Sequence, residues 1–188
     1  EILTYTDKHS IDCIVMGTRG RSGLSLSRAV LGSVAELTLR ESPVPVMTVH
    51  EETVIDPDIG SILIPTDGSE CAHTAVDHAG ELARSVDATL HVIYVVETGQ
   101  VINGDRVRRL REALEEIGEK ALDLALEQIQ SSTYLPTKTS ILNGPPYLEI
   151  VRYAEEHDVD CIVMGTHGRK GIRRFLLGSV TERVIRRA

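Results

Sequence analysis

Arg169, Lys170, Arg173 and Arg174 are four basic residues between Gly165 and Ser179, with no acidic residue among them. In a chain of net charge -8, such a run marks a place for an anion. Gly165, Gly168 and Gly171 recur at intervals of three, and Gly178 follows. Glycine lets backbone N–H groups turn toward a ligand and lets that ligand come close. Before the glycines, Cys161-Ile162-Val163-Met164 is a short apolar run that suits a strand buried on both faces of a parallel sheet. After them, Ser179-Val180-Thr181-Glu182 reads as a capping box, with Ser179 as N-cap and Glu182 at the third helical position. Strand, glycine loop and helix N-terminus in that order bind phosphate. A second loop, Pro65-Thr66-Asp67-Gly68-Ser69, breaks the strand Ile62–Ile64. Asp67 reads either as a group facing the ligand or as the N-cap of the helix that follows. His167 reads first as a solvent-facing loop residue, and second as a phosphate contact.

Other chemistries find little support. The chain has no Gly-x-x-x-x-Gly-Lys-Ser/Thr loop, no Gly-x-Ser-x-Gly elbow and no His-Glu-x-x-His. Cys71, His73 and Asp77 share a helix but lack the spacing of a metal-ligand set, so no metal is expected. No residue stands out as a general base beside the phosphate loop, and any hydrolysis is expected to be slow or stimulated by a partner. Three cysteines without a Cys-x-x-Cys pair read as reduced thiols of a cytoplasmic protein. The acidic balance and 3% aromatic content argue against nucleic-acid binding. No apolar run approaches a membrane span.

The elements that position these loops come twice. Residues 1–50 align with the stretch from Glu149 onward: Asp12-Cys13-Ile14-Val15-Met16-Gly17-Thr18-Arg19-Gly20 against Asp160-Cys161-Ile162-Val163-Met164-Gly165-Thr166-His167-Gly168, and Leu31-Gly32-Ser33-Val34 against Leu177-Gly178-Ser179-Val180. Eleven residues separate Gly20 from Gly32, nine separate Gly168 from Gly178, and Arg19 stands where the second copy has His167. This is an internal repeat. In the first copy a helix tail over 1–10, with Ile2, Leu3 and Tyr5 as its apolar positions, precedes a strand over 11–16, the glycine loop over 17–32, a helix over 33–41 and a strand over 43–50. Residues 51–60, polar and acidic, form a linker.

From 61 onward, strand Ile62–Ile64 leads to a helix with Cys71, Ala75, Ala79, Leu82 and Val86 on its apolar face. A strand over Thr89–Val96 follows, then a long helix from about 106 to 131 with Leu110, Leu114, Ile117, Ala121 and Leu124 as its buried stripe. An edge strand over Thr137–Leu142, a helix over 147–157 and the glycine-loop stretch complete the unit. Alternating strands and helices make a doubly wound, three-layer parallel sheet, whose ligands bind outside the carboxyl ends of strands. The two loops share one crevice if their strands are neighbours.

With Pro65-Thr66-Asp67 after the first strand and Gly165-x2-Gly168-x9-Gly178-Ser179 after the fourth, the sequence resembles the universal stress protein family. The likeness covers 61–188 as a nearly complete domain lacking its last strand, and 1–50 as the C-terminal part of a preceding domain. The resemblance implies an adenine nucleotide alpha hydrolase-like variant of the Rossmann-like and flavodoxin-like folds, in strand order 3-2-1-4-5. It implies a homodimer or tandem pseudo-dimer, and a cofactor of ATP, ADP or AMP with Mg2+ as companion ion. Carried onto matching positions, Pro65, Thr66 and Asp67 would wall the nucleotide, and Val92 would pack on adenine. Met164, Gly165, His167, Gly168 and Arg169 would lie under ribose and phosphates, with Gly178, Ser179 and Val180 at the helix start. Met16, Gly17, Gly20, Gly32 and Ser33 would form a first-copy phosphate loop, although its Pro-Thr-Asp segment is missing from this chain. The expected role is an ATP-binding stress-response or signalling module. The alternatives are a nucleotide-independent dimerisation or scaffold domain and a slow ATPase. The absent fifth strand suggests a fragment of a longer tandem chain. Strand 43–50 could instead fill that edge, since ten extended linker residues reach roughly 33 Å.

Overall fold

The structure is a computed structural model and describes residues 1–18, 31–51, 53, 58–97, 105–131, 134–168 and 177–188. Gly20, Arg169, Lys170, Gly171, Arg173 and Arg174 lie outside the described residues, as do Arg19 and much of the linker. The elements in chain order are α1 (Ile2–His9), β1 (Ile14–Gly17), α2 (Ser33–Glu41), β2 (Val46–Val49), β3 (Ser61–Pro65), α3 (Glu70–Val86), β4 (Thr89–Val96), α4 (Asp105–Gln130), β5 (Thr137–Asn143), α5 (Pro146–Glu156), β6 (Cys161–Ile162) and α6 (Ser179–Ile185). They fall into two compact units, one made of Glu1–Ile55 with Gly171–Ala188, the other of Asp56–Lys170. No helix among the described residues is long and apolar enough to cross a membrane.

In the first unit β1 and β2 pair in parallel, from Ile14 opposite Val46 to Gly17 opposite Val49. Leu31, Ala35 and Leu39 form a small core with Met16, Val46, Leu177 and Ile185 packed against it. The repeat assigns Leu177 and Ile185 to the second copy; in space they join the first. A polar pin accompanies that packing. His50, at the end of β2, sits 3.3 Å from the Thr18 hydroxyl through Nδ1 and 2.5 Å from the Ile185 carbonyl through Nε2. The apolar face expected on α1 is not the buried one: Ile2 and Tyr5 are exposed, and Thr6 is buried. Thr6 tolerates this because its hydroxyl donates to the Ile2 carbonyl one turn back, at 3.1 Å.

Among the described residues, the sheet of the second unit has four parallel strands in the order β5-β4-β3-β6. Numbered within this unit, that is 3-2-1-4, the expected doubly wound order without a fifth strand. Side chains alternate across each strand. Ile62, Ile64, Leu90, Val92, Tyr94 and Val96 point into one core, shared with α3 and α4. The opposite face carries His91, which meets Tyr153 of α5. Helices on both faces give three layers.

Helix phase departs from expectation in two places. On α3 the buried stripe is Ala72, Ala75, Val76, Ala79 and Ala83, whereas Val86 is exposed and Cys71 half-buried. Small residues win the inner face because they let the helix lie close on the sheet. On α4 the buried residues are Ala121, Leu122, Ala125 and Ile129, while Leu110, Ile117 and Leu124 are exposed. The apolar pattern of α4 is wide enough for two readings, and packing on Tyr94 and Val96 selects one. β6 is also shorter than its apolar run, since Val163 and Met164 already belong to the loop.

His91 is 3% exposed. Its Nδ1 lies 3.2 Å from the Tyr153 hydroxyl, and its ring stands edge-on to those of Tyr153 and His157. Burial first, then the positive field of Lys138 and of His157, lowers its pKa below 6.5. A depressed folded-state pKa means the unfolded chain binds the proton more readily. This contribution is therefore complete above about pH 6.5 and declines as pH falls through the folded-state value. Denaturant unfolding should show lower stability at pH 5 than at pH 7.5, and His91→Gln should flatten that slope. An unchanged slope in the variant would assign it to other groups.

Candidate functional site

Parallel pairing of β3 with β6, Ile62 opposite Cys161 and Leu63 opposite Ile162, makes the two loops neighbours at the carboxyl ends of adjacent strands. The Val163 N–H extends the pairing by donating to the Leu63 carbonyl at 2.8 Å.

The first loop holds its shape through its own side chains. Thr66 is buried; its N–H donates to the Ile93 carbonyl at 2.9 Å, and its hydroxyl accepts from the Gly68 N–H at 3.1 Å. Asp67 Oδ1 accepts from the Ser69 N–H at 3.0 Å, and Gly68 takes a φ of 71°, which glycine adopts without a Cβ clash. The N-cap of α3 is Ser69, whose hydroxyl accepts from the Ala72 N–H at 3.2 Å. The capping alternative for Asp67 is thereby corrected. The turn directs Asp67 away from the helix axis and leaves capping to the residue next to the first turn.

The second loop passes close over the first. A Cβ at Gly165 would lie 3.0 Å from the backbone carbon and oxygen of Cys71, and one at Gly168 would lie 2.6 Å from Asp67 Oδ2. Asp67 therefore spans the loops, one oxygen on the Ser69 N–H and the other against the Gly168 α-carbon. Between the glycines, Thr166 Oγ1 is 2.9 Å from His167 Nδ1. His167 Nε2 is buried and has no hydrogen-bond partner. The residue as a whole is half-buried. A Thr166 hydroxyl that donates to Nδ1 leaves the proton of a neutral ring on Nε2, which then presents a donor. Pro65 and Met164 are half-buried at the two strand ends. Val92 is 0% exposed inside the core; its side chain supports the wall from behind and presents no surface.

Gly178, Ser179 and Val180 lie in the other unit, and there the capping box does not form. The N-cap of α6 is Gly178, at φ −63° and ψ 140°, with no side-chain cap; Ser179 is the first helical residue and is exposed. Arg186, one turn on, draws the Glu182 carboxylate to 2.5 Å, so it does not reach back. The first copy repeats this arrangement. Gly32 is the N-cap of α2 and Ser33 its first residue, while the Gly32 N–H donates to the Thr18 carbonyl at 2.9 Å. Met16 is half-buried and Gly17 ends β1.

Thr166 and Ser69 have no role assigned from the sequence, and Cys71 reads there only as an apolar helix position and a rejected metal ligand. Thr166 had a signal in the repeat, because Thr18 occupies the matching position and also binds a histidine ring, that of His50. Cys71, His73 and Asp77 prove to do different jobs. Cys71 receives the Gly165 loop, and Gln128 of α4 bonds to both His73 and Asp77.

An unpartnered Nε2 donor, a carboxylate and backbone bare of Cβ atoms converge within this loop pair. They suit a ligand with both acceptors and donors, such as a phosphate ester of a hydroxylated sugar. The two glycines should respond differently to substitution. Gly165→Ala presses a methyl on fixed backbone and should cost about 1–3 kcal/mol in denaturant unfolding. Gly168→Ala meets only the end of a rotatable carboxylate and should cost less, and nothing measurable in an Asp67→Ala background. Equal costs in both backgrounds would contradict the Asp67–Gly168 contact.

Comparison with known proteins places this geometry. A sequence model described as the universal stress protein family matches residues 1–50 and 59–188. A universal stress protein of Methanocaldococcus jannaschii is 39% identical over 130 residues, which is 68% of this chain and 76% of that protein. Among solved structures, a universal stress protein from Archaeoglobus fulgidus aligns with 100% of this chain at a TM-score of 0.67 and 28% identity; this chain spans 62% of its length. A universal stress protein solved in complex with cAMP aligns with 70% of this chain and 92% of its own, at a TM-score of 0.55 and 26% identity.

Proposed function

The chain belongs to the universal stress protein family, and on that premise we propose that it binds an adenine nucleotide at the carboxyl ends of β3 and β6, as a stress-response or signalling module. The observation that carries this reading is His167 Nε2, a buried ring nitrogen without a hydrogen-bond partner, in a ring that meets the Thr166 hydroxyl through Nδ1 beside the Asp67–Gly168 contact. A phosphate oxygen satisfies that donor, and leaving it unsatisfied is costly. Asp67, fixed by the Ser69 N–H, accepts from ribose hydroxyls. Pro65, Thr66, Met164 and Gly165 shape the walls, and Arg169 supplies positive charge. The part assigned to Gly178, Ser179 and Val180 rests on glycine spacing alone. The relative solved with cAMP supports an adenine ligand; ATP, ADP and AMP share that base. Mg2+ would enter with the phosphates of ATP, since it is usually held through them.

A second reading has its own support. The Cys71 approach accounts for Gly165 as a packing residue, and Val92 is core. Both suit a nucleotide-independent dimerisation or scaffold domain of the same fold.

Calorimetric titration with ATP, after extraction of any co-purified nucleotide, separates the two. The first reading predicts saturable binding, weakened about 10- to 100-fold by His167→Ala, the size of a lost hydrogen bond to a charged group. No binding by the folded protein would leave the scaffold reading.

A further inference from the structure

Leu110, Ile117 and Leu124 are 57%, 38% and 51% exposed and recur every seven residues on α4. Seven residues fall about 20° short of two helical turns, so the three side chains form one nearly straight row, about 21 Å long. The row does not serve the core of its own unit, which takes Ala121, Leu122, Ala125 and Ile129 from the same helix. Apolar side chains aligned in this way on a charged helix are a seam for another helix.

Charge along α4 indicates what that helix is. Arg108, Arg109 and Arg111 flank the start of the row, whereas acids dominate from Glu115 to Glu127, with Lys120 the one base among them. A parallel copy would set arginines against arginines. An antiparallel copy sets the basic end of each helix against the acidic end of the other. We propose that α4 is a self-association surface, on which a second copy of this chain docks its own α4 antiparallel, with Ile117 on the two-fold axis and Leu110 against the partner's Leu124. Around that axis position n faces 234 − n, so Arg109 lies about 3 Å along the helix from the partner's Glu127, while Glu116 and Lys120 pair with each other within each helix at 2.8 Å. The contact is isologous, as a two-fold requires. Three apolar layers make a small interface, so the dimer forms and dissociates with concentration. The surface is separate from the nucleotide site, and its test does not depend on nucleotide.

Sedimentation equilibrium across the micromolar to millimolar range tests it. The apparent mass should rise from 20.6 kDa toward twice that value. Ile117→Glu puts like charges on the axis and should raise the dissociation constant about tenfold or more, while circular dichroism at micromolar concentration should show the variant still folded. Arg109→Glu and Glu127→Arg should each weaken the dimer, and their combination should restore it. A parent that stays monomeric throughout overturns the proposal. So does a dimer indifferent to Ile117→Glu, and so does a charge-reversed double variant weaker than both single variants.

Discussion

Everything at the candidate site depends on β3 lying next to β6. Only two residue pairs define that strand contact, but polar bonds hold both of its ends. At the amino end, Asp160 Oδ2 accepts from the Gly60 N–H, the Ser61 N–H and the Ser61 hydroxyl, at 3.0, 2.9 and 2.9 Å. At the carboxyl end, the Val163 N–H reaches the Leu63 carbonyl. Without this neighbourhood Asp67 and Gly168 would belong to unrelated loops. With it, the Asp67 carboxylate of one loop meets Gly168 of the other, next to His167, at the strand ends where open α/β sheets take their ligands.

Glycine in the second loop then has two different roles. At Gly165 the missing Cβ makes room for the backbone of α3; at Gly168 it makes room for the Asp67 carboxylate. The spacing that reads as phosphate-binding in the sequence is therefore partly a packing requirement between loops. The residue that the two glycines flank, His167, has an Nε2 that is buried without a partner and is the better candidate for an anion contact.

Much of this was legible in the amino-acid sequence. The strand over Thr89–Val96 and the helix over 33–41 have bounds that match the structure, because both are set by local patterning and chain breakers. The doubly wound sheet followed from alternating strands and helices, and the strand order was what the resemblance to the universal stress protein family implied. What was not legible depends on tertiary choices. The apolar residues of α4 allow more than one facing, and contact with the sheet selects Ala121, Leu122, Ala125 and Ile129 over Leu110, Ile117 and Leu124. Ser179 lost its capping role because Gly178 adopts the cap conformation itself and Arg186 holds Glu182. The packing of Leu177 and Ile185 in the first unit is also invisible to repeat alignment, which records descent and not contact.

The central claim is that a nucleotide is held against His167. Nitrogen-detected NMR of the 15N-histidine-labelled protein during an ATP titration tests it most directly. The account predicts that His167 starts as the Nε2–H tautomer and that its Nε2 resonance shifts with saturation, while those of His91 and His157, on the α5 face of the sheet, stay in place. An His167 Nε2 resonance that does not move at saturating ATP would contradict it.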